Sequence, residues 1–212
     1  MTNPTGSPAR AGRRAQAARN DAVILDAARA VFLDDPKAPI AAVAERAGVG
    51  ISALYRRYAG KEDLLRRLCH DGLRRYVAEA EAALTEPDAW SAFADFLARL
   101  VDADVHSLTV RLAGTFTPTE EMGRDAVRAG ELTEALVRRA HADGRLRPDV
   151  GVHDIPLLLE GCAAIRVPDP ERTRQLRRRQ LALLLAGLVA TAPPLPGPPP
   201  AAGEFGRWSR RE

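Results

Sequence analysis

The residues best suited to recognition chemistry lie between positions 51 and 61 of this chain. On a short helix that buries Leu54, the side chains of Ser52, Arg56 and Arg57 are left to point outward. A guanidinium group can pair with phosphate oxygens or with the edge of a guanine, and a hydroxyl group can donate or accept a hydrogen bond. This set of side chains favours an anionic, hydrogen-bonding partner such as nucleic acid.

The segment that carries these residues has the pattern of a helix-turn-helix. Residues 40–61 read IAAVAERAGVGISALYRRYAGK, and Ala44 is the small residue that the crossing of two short helices requires. Gly48 can adopt the positive φ that ends the first helix and turns the chain. Three apolar residues fall where side chains must converge beneath the crossing: Val43, Val49 and Leu54. Such a unit places its second helix, here predicted at 50–58, in a groove of DNA.

The rest of the chain also has the composition and spacing of helices. Ala, Leu, Arg and Glu recur at helical intervals, and 46 % of the 212 residues are hydrophobic. We therefore predict an all-α fold of about nine helices. The first helix is predicted to be capped by Asn20 and to end near Asp34. Beyond the helix-turn-helix, helices are predicted at 61–85, 88–103, 105–113, 120–143, 154–165 and 170–190.

The chain divides into four predicted segments. These are a basic disordered arm at 1–19, a helix-turn-helix domain of three helices at 20–66, a larger helical domain at 67–192 and a Pro-rich disordered tail at 193–212. The net charge of +3 does not by itself indicate nucleic acid, but the arm contains four arginines and no acidic residue: Arg10, Arg13, Arg14 and Arg19. Beside a helix-turn-helix, such an arm favours a clamp on phosphates over a solvated tail.

The sequence predicts no metal site, cofactor site or catalytic apparatus. Cys69 and His70 are adjacent rather than spaced as zinc ligands, and the other histidines stand in no ligand pattern. Cys69 and Cys162 lie within helical patterns and are predicted to be buried thiols, which fits a reducing cytoplasm. Neither a signal peptide nor an apolar run of membrane-spanning length is visible. We therefore expect a soluble cytoplasmic protein that is not an enzyme.

Residues 20–66 resemble the DNA-binding region of the tetracycline-repressor-like (TetR) regulators. The consensus pattern of that family runs approximately V-A-x-x-A-G-V-S-x-G-T-L-Y-x-H-F-x-x-K-x-x-L, which corresponds to residues 43–64 here. The likeness is carried by AGV at the turn, LYRRY in the second helix and GKEDLL at the start of the next one. Beyond Arg66 the resemblance rests on the number and order of helices.

The resemblance implies a role for each matching position. Tyr55 and Lys61 would hold phosphate oxygens, and three side chains would approach base edges: Ile51, Ser52 and Arg56. Only Lys37 and Lys61 among the 31 basic residues are lysine, which supports a specific use for Lys61. The Tyr55 ring has a second interpretation, in which it fills the core while its hydroxyl stays in water, and both roles can hold together.

Ala53 and Arg57 are among the positions that depart from the family's consensus pattern. Ala53 replaces the preferred threonine and Arg57 replaces the preferred histidine, so one hydroxyl contact is lost and one permanent charge is gained. We therefore expect binding to depend more on arginines, including Arg57 and the arm residues Arg13 and Arg14. If Arg56 reaches the major groove, it would favour a G·C pair.

The resemblance also implies a small apolar effector and a homodimer. The effector is expected among the middle helices, beside Phe93, Phe96, Leu100, Phe116 and Met122, although these residues could equally form plain core. The last two helices are expected to pair across a two-fold axis through apolar positions that could instead pack within one chain: Ile155, Leu158, Leu159, Cys162, Leu176, Leu183, Leu184 and Leu188.

Together these expectations describe a ligand-responsive transcriptional regulator. It would be a repressor that binds double-stranded DNA at a palindromic operator, with half-sites about 34 Å apart, and is released by its effector. Two alternatives remain open at this point. One is a small-molecule-binding helical protein with a degenerate DNA-binding motif, and the other is an architectural protein that binds DNA with little sequence preference.

Overall fold

The computed structural model describes residues 8–112, 114–191, 193–201 and 204. Within these residues the regular structure is nine α-helices, with one isolated antiparallel bridge between Leu146 and Val189. The prediction of an all-α fold is confirmed. The helices are α1 (Pro8–Asp34), α2 (Ile40–Ala47), α3 (Ile51–Tyr55), α4 (Lys61–Leu84), α5 (Ala89–Asp102), α6 (Val105–Leu112), α7 (Glu120–Ala142), α8 (Asp154–Ala164) and α9 (Pro170–Gly187).

Helix α1 begins earlier than the sequence patterns predicted. It starts at Pro8, so Asn20 lies inside the helix and does not cap it. Residues 8–19, predicted as part of a disordered arm, are helical because the Ala, Arg and Gln that dominate them favour the helix and Pro8 fits its first turn. Residues 1–7 of that arm lie outside the described part of the chain.

The chain forms two compact units that meet between Leu68 and Cys69. The first unit contains α1, α2, α3 and the start of α4. It is built on a set of fully buried side chains: Ala28, Phe32, Val43, Leu54 and Leu64. Val43 and Leu54 are two of the three apolar residues predicted to lie beneath the helix crossing, whereas Val49 is half-buried.

The second unit contains the rest of α4 and the helices α5 to α9. Its core has the interior residues of α5 at its centre, Phe93, Phe96, Leu97 and Leu100, which are essentially inaccessible to solvent. Apolar side chains of α7, α8 and α9 surround them, among them Leu136, Ile155, Leu159 and Leu181. Both cysteines are buried free thiols, as the sequence predicted.

A buried arginine fixes the chain just beyond the end of α9. Arg147, only 4 % exposed, donates to both carboxylate oxygens of Asp149 and to the carbonyl oxygens of Gly187 and Pro193. The backbone N–H of Leu195 donates to Asp149 at 2.7 Å. The tail predicted as disordered from residue 193 therefore begins as an anchored segment, because these carbonyl groups satisfy the donors of the buried guanidinium.

Candidate DNA-binding surface

The turn between α2 and α3 has the geometry that the sequence predicted at Gly48. The residue adopts φ 65° and ψ 29°, in the left-handed region that a side chain disfavours. The N–H of Gly48 donates to Glu45 O at 3.1 Å, and the N–H of Val49 donates to Ala44 O at 3.0 Å. These two bonds form a Schellman motif, which ends α2 and turns the chain towards α3.

Helix α3 presents one face to solvent. Ile51 and Tyr55 are 40 % and 53 % exposed, and Ser52 and Arg56 are also exposed, whereas Leu54 is fully buried. These four exposed residues lie on one side of the helical turn because they are separated by one, four and five positions. The helix ends at Tyr55, three residues earlier than predicted, and continues as a turn in which the N–H groups of Arg57 and Tyr58 donate to Leu54 O.

The Lys61 ammonium has two hydrogen-bond partners inside the first unit. It donates to the carbonyl oxygens of Pro36 at 2.9 Å and Ala38 at 2.7 Å, and it lies 5.2 Å from the centre of the Phe32 ring. An ammonium group has three donors, so these bonds leave one N–H for a phosphate oxygen. Lys61 therefore ties the start of α4 to the connection between α1 and α2, a role that its spacing did not reveal.

Arg57 is held against α1 by an acidic residue that the sequence analysis did not single out. Its Nε lies 2.7 Å from Oδ1 of Asp21, and the Tyr58 hydroxyl donates to the same oxygen at 2.6 Å. Burial, followed by the bond to Asp21, raises the pKa of Tyr58 well above its usual value. The hydroxyl is therefore a donor throughout the physiological pH range. The sequence feature that could have indicated this contact is Tyr58, which stands where the family's consensus pattern has phenylalanine.

The sequence assigned two arm arginines to phosphate binding. Arg13 and Arg14 belong to α1, but their side chains lie outside the described part of the structure. Their assignment to DNA binding thus rests on the charge of this stretch.

The side chains predicted to surround an effector are tightly packed in the second unit. Phe93, Phe96, Leu100 and Met122 are at most 1 % exposed, and Phe116 is 9 % exposed. Leu100 also borders a cavity of about 10 Å³, which is the size of one water molecule. In this structure the five residues form core, which is the alternative that the sequence left open.

One polar network lies beside these aromatic residues. The Tyr76 ring packs edge-on against Phe96, with 5.3 Å between ring centres. Thr133 donates to Ala129 O, so the Tyr76 hydroxyl must be the donor in its 2.8 Å bond with Thr133. Burial raises the pKa of Tyr76 to about 12, which keeps the hydroxyl protonated.

The predicted dimer residues divide into two groups. Four of them lie in the interior of the second unit: Ile155, Leu159, Cys162 and Leu188. These four pack within the chain itself, so they are not available to a second copy. Leu158, Leu176 and Leu184 are half-buried, and Leu183 is 62 % exposed. Leu157, which the prediction omitted, is 44 % exposed. Helical spacing placed all of these on apolar faces but did not say which face the chain itself covers.

An exposed recognition helix on a buried three-helix scaffold, followed by a separate helical body, defines a DNA-binding transcriptional regulator. Residues 24–68 match the family of bacterial regulatory proteins called tetR, and residues 87–190 match the C-terminal domain of SbtR-like transcriptional regulators. The chain therefore belongs to the tetR family of transcriptional regulators.

Solved structures of regulators share this fold. The TetR regulator SCO0520 from Streptomyces coelicolor is 26 % identical, with a TM-score of 0.58 over 82 % of this chain and 99 % of that one. A TetR regulatory protein from Mycobacterium vanbaalenii is also 26 % identical, with a TM-score of 0.56 over 83 % and 98 %. LfrR from Mycobacterium smegmatis, solved in complex with proflavine, is 23 % identical, with a TM-score of 0.52 over 79 % and 96 %.

No curated protein sequence matches the chain. Among the described residues, no helix combines the length and the apolar character that crossing a bilayer requires.

Proposed function

We propose that this regulator is a repressor that binds a palindromic operator as a homodimer and is released by a small apolar effector. The observation that carries the proposal is the exposed face of α3, where Ile51, Ser52, Tyr55 and Arg56 surround the buried anchor Leu54. Side chains of this kind, on the second helix of a helix-turn-helix, read base edges in the major groove and bind the backbone phosphates beside it.

The exposed residues divide by chemistry. Ile51, Ser52 and Arg56 are proposed to approach base edges, with Arg56 pairing with a guanine. Tyr55 is proposed to hold a phosphate oxygen through its hydroxyl, and Arg57 and the remaining donor of Lys61 to add charge at the backbone. Arg13 and Arg14 on the extended α1 are proposed to contact phosphates beyond the motif.

The dimer is proposed to form through the outward faces of α8 and α9. Leu157 and Leu183 are exposed, and Leu158, Leu176 and Leu184 are half-buried. These residues offer apolar surface that a second copy can cover in a four-helix arrangement around a two-fold axis.

The effector is proposed to enter the second unit near Phe93, Phe96, Leu100, Phe116 and Met122. Because these side chains are closely packed, binding must open space between them, which couples occupancy to a change in conformation. The proflavine in the LfrR complex supports a small-molecule role for a body of this fold. Effector binding and operator binding would then oppose each other by the same factor in both directions. We place the protein in the cytoplasm and assign it no catalytic activity.

Selection of bound sequences from a random duplex pool tests the proposal. A recovered palindrome with half-sites about one helical turn apart is the expected result. Recovery of unrelated sequences would instead indicate an architectural protein. The absence of salt-dependent binding to duplex DNA would indicate a degenerate motif.

Arg56→Ala then tests the assignment of bases on the recovered operator. The loss in affinity should be concentrated at one G·C pair, where about 1–3 kcal/mol of discrimination disappears. Operator variants at every other position should keep their order of affinity. An equal loss on all sequences would show that Arg56 contacts only the backbone.

A further inference from the structure

Asp21 joins α1 to the end of the recognition helix through one carboxylate oxygen. Arg57 Nε lies 2.7 Å and Tyr58 Oη 2.6 Å from Oδ1 of Asp21. Tyr58 is only 5 % exposed, whereas the Asp21 and Arg57 side chains are 28 % and 32 % exposed. The carboxylate therefore lies at the border between the core of the first unit and the surface proposed to meet DNA.

The two partners of Asp21 occupy neighbouring positions that both depart from the family's consensus pattern. Arg57 stands in place of histidine and Tyr58 in place of phenylalanine. Each replacement supplies a polar group that reaches the same oxygen atom. The shared contact with Asp21 therefore gives both departures one physical reason.

The two contacts restrain different parts of the chain. The bond from Tyr58 fixes the turn that follows α3, because the ring is buried and its hydroxyl has a set direction. The ion pair at Nε holds the Arg57 guanidinium beside α1, because the two opposite charges lie 2.7 Å apart. Asp21 therefore sets both the end of the recognition helix and the position of a charged group beside it.

We propose that Asp21 is a positioning residue for operator binding, acting through Arg57 and Tyr58. This proposal rests on the proposed function, since it requires α3 to face DNA. It makes a prediction opposite in sign to simple electrostatics. Removal of a negative charge beside a polyanion should strengthen binding through charge alone, whereas loss of a positioning contact should weaken binding to the operator.

The test compares Asp21→Ala with Asp26→Ala in the full-length protein. Asp26 is an exposed acidic residue on the same helix, so its substitution removes the same charge. Dissociation constants are measured for the selected operator and for a random duplex at several salt concentrations. We expect Asp21→Ala to weaken operator binding about tenfold while binding to the random duplex is unchanged or tighter. Asp26→Ala should leave operator binding unchanged or make it tighter.

Further variants separate positioning from loss of fold. Asp21→Asn keeps an oxygen acceptor and should retain most of the operator affinity, and Tyr58→Phe should cause a partial loss. When Asp21→Ala is added to Arg57→Ala, the further loss in operator affinity should exceed the loss caused by Tyr58→Phe by less than twofold. The reason is that the contact between Asp21 and Arg57 is already absent in this background. Thermal midpoints ensure that every affinity is measured on folded protein.

Two results would overturn the role of Asp21. One is operator binding by Asp21→Ala that is as tight as, or tighter than, that of the unaltered protein. The other is a loss for Asp21→Ala that Asp26→Ala reproduces. Failure of the unaltered protein to bind any selected duplex would instead remove the proposed function, and the Asp21 proposal with it.

Discussion

The ammonium of Lys61 lies 2.7 Å from the carbonyl oxygen of Ala38, 23 positions earlier in the chain. With the 2.9 Å bond to Pro36, this contact joins the start of α4 to the connection that precedes the helix-turn-helix. The lysine that the family resemblance assigned to phosphate therefore also contributes to the stability of the first unit.

Lys61→Met should lower the stability of the first unit, because it removes both bonds and leaves two carbonyl groups to be solvated. We expect the free energy of unfolding to fall by about 1–3 kcal/mol, measured by urea denaturation. Lys37→Met is the matched control, because Lys37 is the other lysine of the chain and is exposed. An equal effect of the two substitutions would contradict the role given to the Lys61 contacts.

Gly48→Ala should destabilise the helix-turn-helix by roughly 1–2 kcal/mol, because alanine resists a φ of 65° although nothing lies within 4 Å of the added Cβ. Gly50→Ala provides the comparison, since Gly50 has a φ of −65° and equally open space. There a weaker N-cap and a less flexible unfolded chain oppose each other, so stability should change little. Thermal unfolding followed by circular dichroism distinguishes the two variants.

Leu183→Asp should convert the proposed dimer into a monomer, because it places a charge in the apolar surface between two copies. Val127→Asp is a close control, since Val127 on α7 is 63 % exposed and Leu183 is 62 % exposed. Sedimentation equilibrium should show a monomer for the first variant and a dimer for the second. A dimer in both cases would place the interface elsewhere.

Asp88 should make the second unit sensitive to acid. It caps α5 by accepting the N–H of Ser91 at 2.7 Å, and its bonds with Ser91, followed by the Arg145 guanidinium, lower its pKa to about 2. Because the pKa is depressed in the folded state, this contribution is complete above the unfolded pKa of about 3.9 and is lost as the pH falls towards 2.

Asp88→Asn keeps an oxygen that can cap the helix but cannot titrate. Thermal midpoints measured from pH 7 to pH 2 should therefore fall less steeply below pH 4 for the variant than for the unaltered protein. Parallel curves would show that Asp88 does not contribute to the acid sensitivity.

Local features of the fold were predictable because they depend on residues that are close together in the sequence. Gly48 could be assigned to the turn from its type and its distance from Ala44 and Leu54, since a Schellman motif involves only neighbouring residues. The exposed residues of α3 followed from helical periodicity in the same way. The early start of α1 was missed because Asn20 is a favourable N-cap residue that can also lie inside a helix. Whether Asn20 caps the helix or lies within it depends on the residues that precede it.

Contacts between distant segments were not predictable from one sequence. The pairing of Asp21 with Arg57 and Tyr58 spans more than thirty positions, and Tyr58 lies 37 positions after Asp21. Nothing in the composition of α1 distinguishes Asp21 from Asp26. Similarly, periodicity marks both Leu159 and Leu183 as apolar-face residues, but packing buries the first and leaves the second exposed.

Helix α4 runs without a break from Lys61 to Leu84, and the boundary between the two units falls within it. Neither unit can therefore be expressed alone without cutting a helix. A fragment that stopped at Leu68 would leave the last carbonyl groups of α4 without their helical partners, beside the buried side chains of Leu64, Leu65 and Leu68. An isolated first unit should therefore keep at least one further turn of α4.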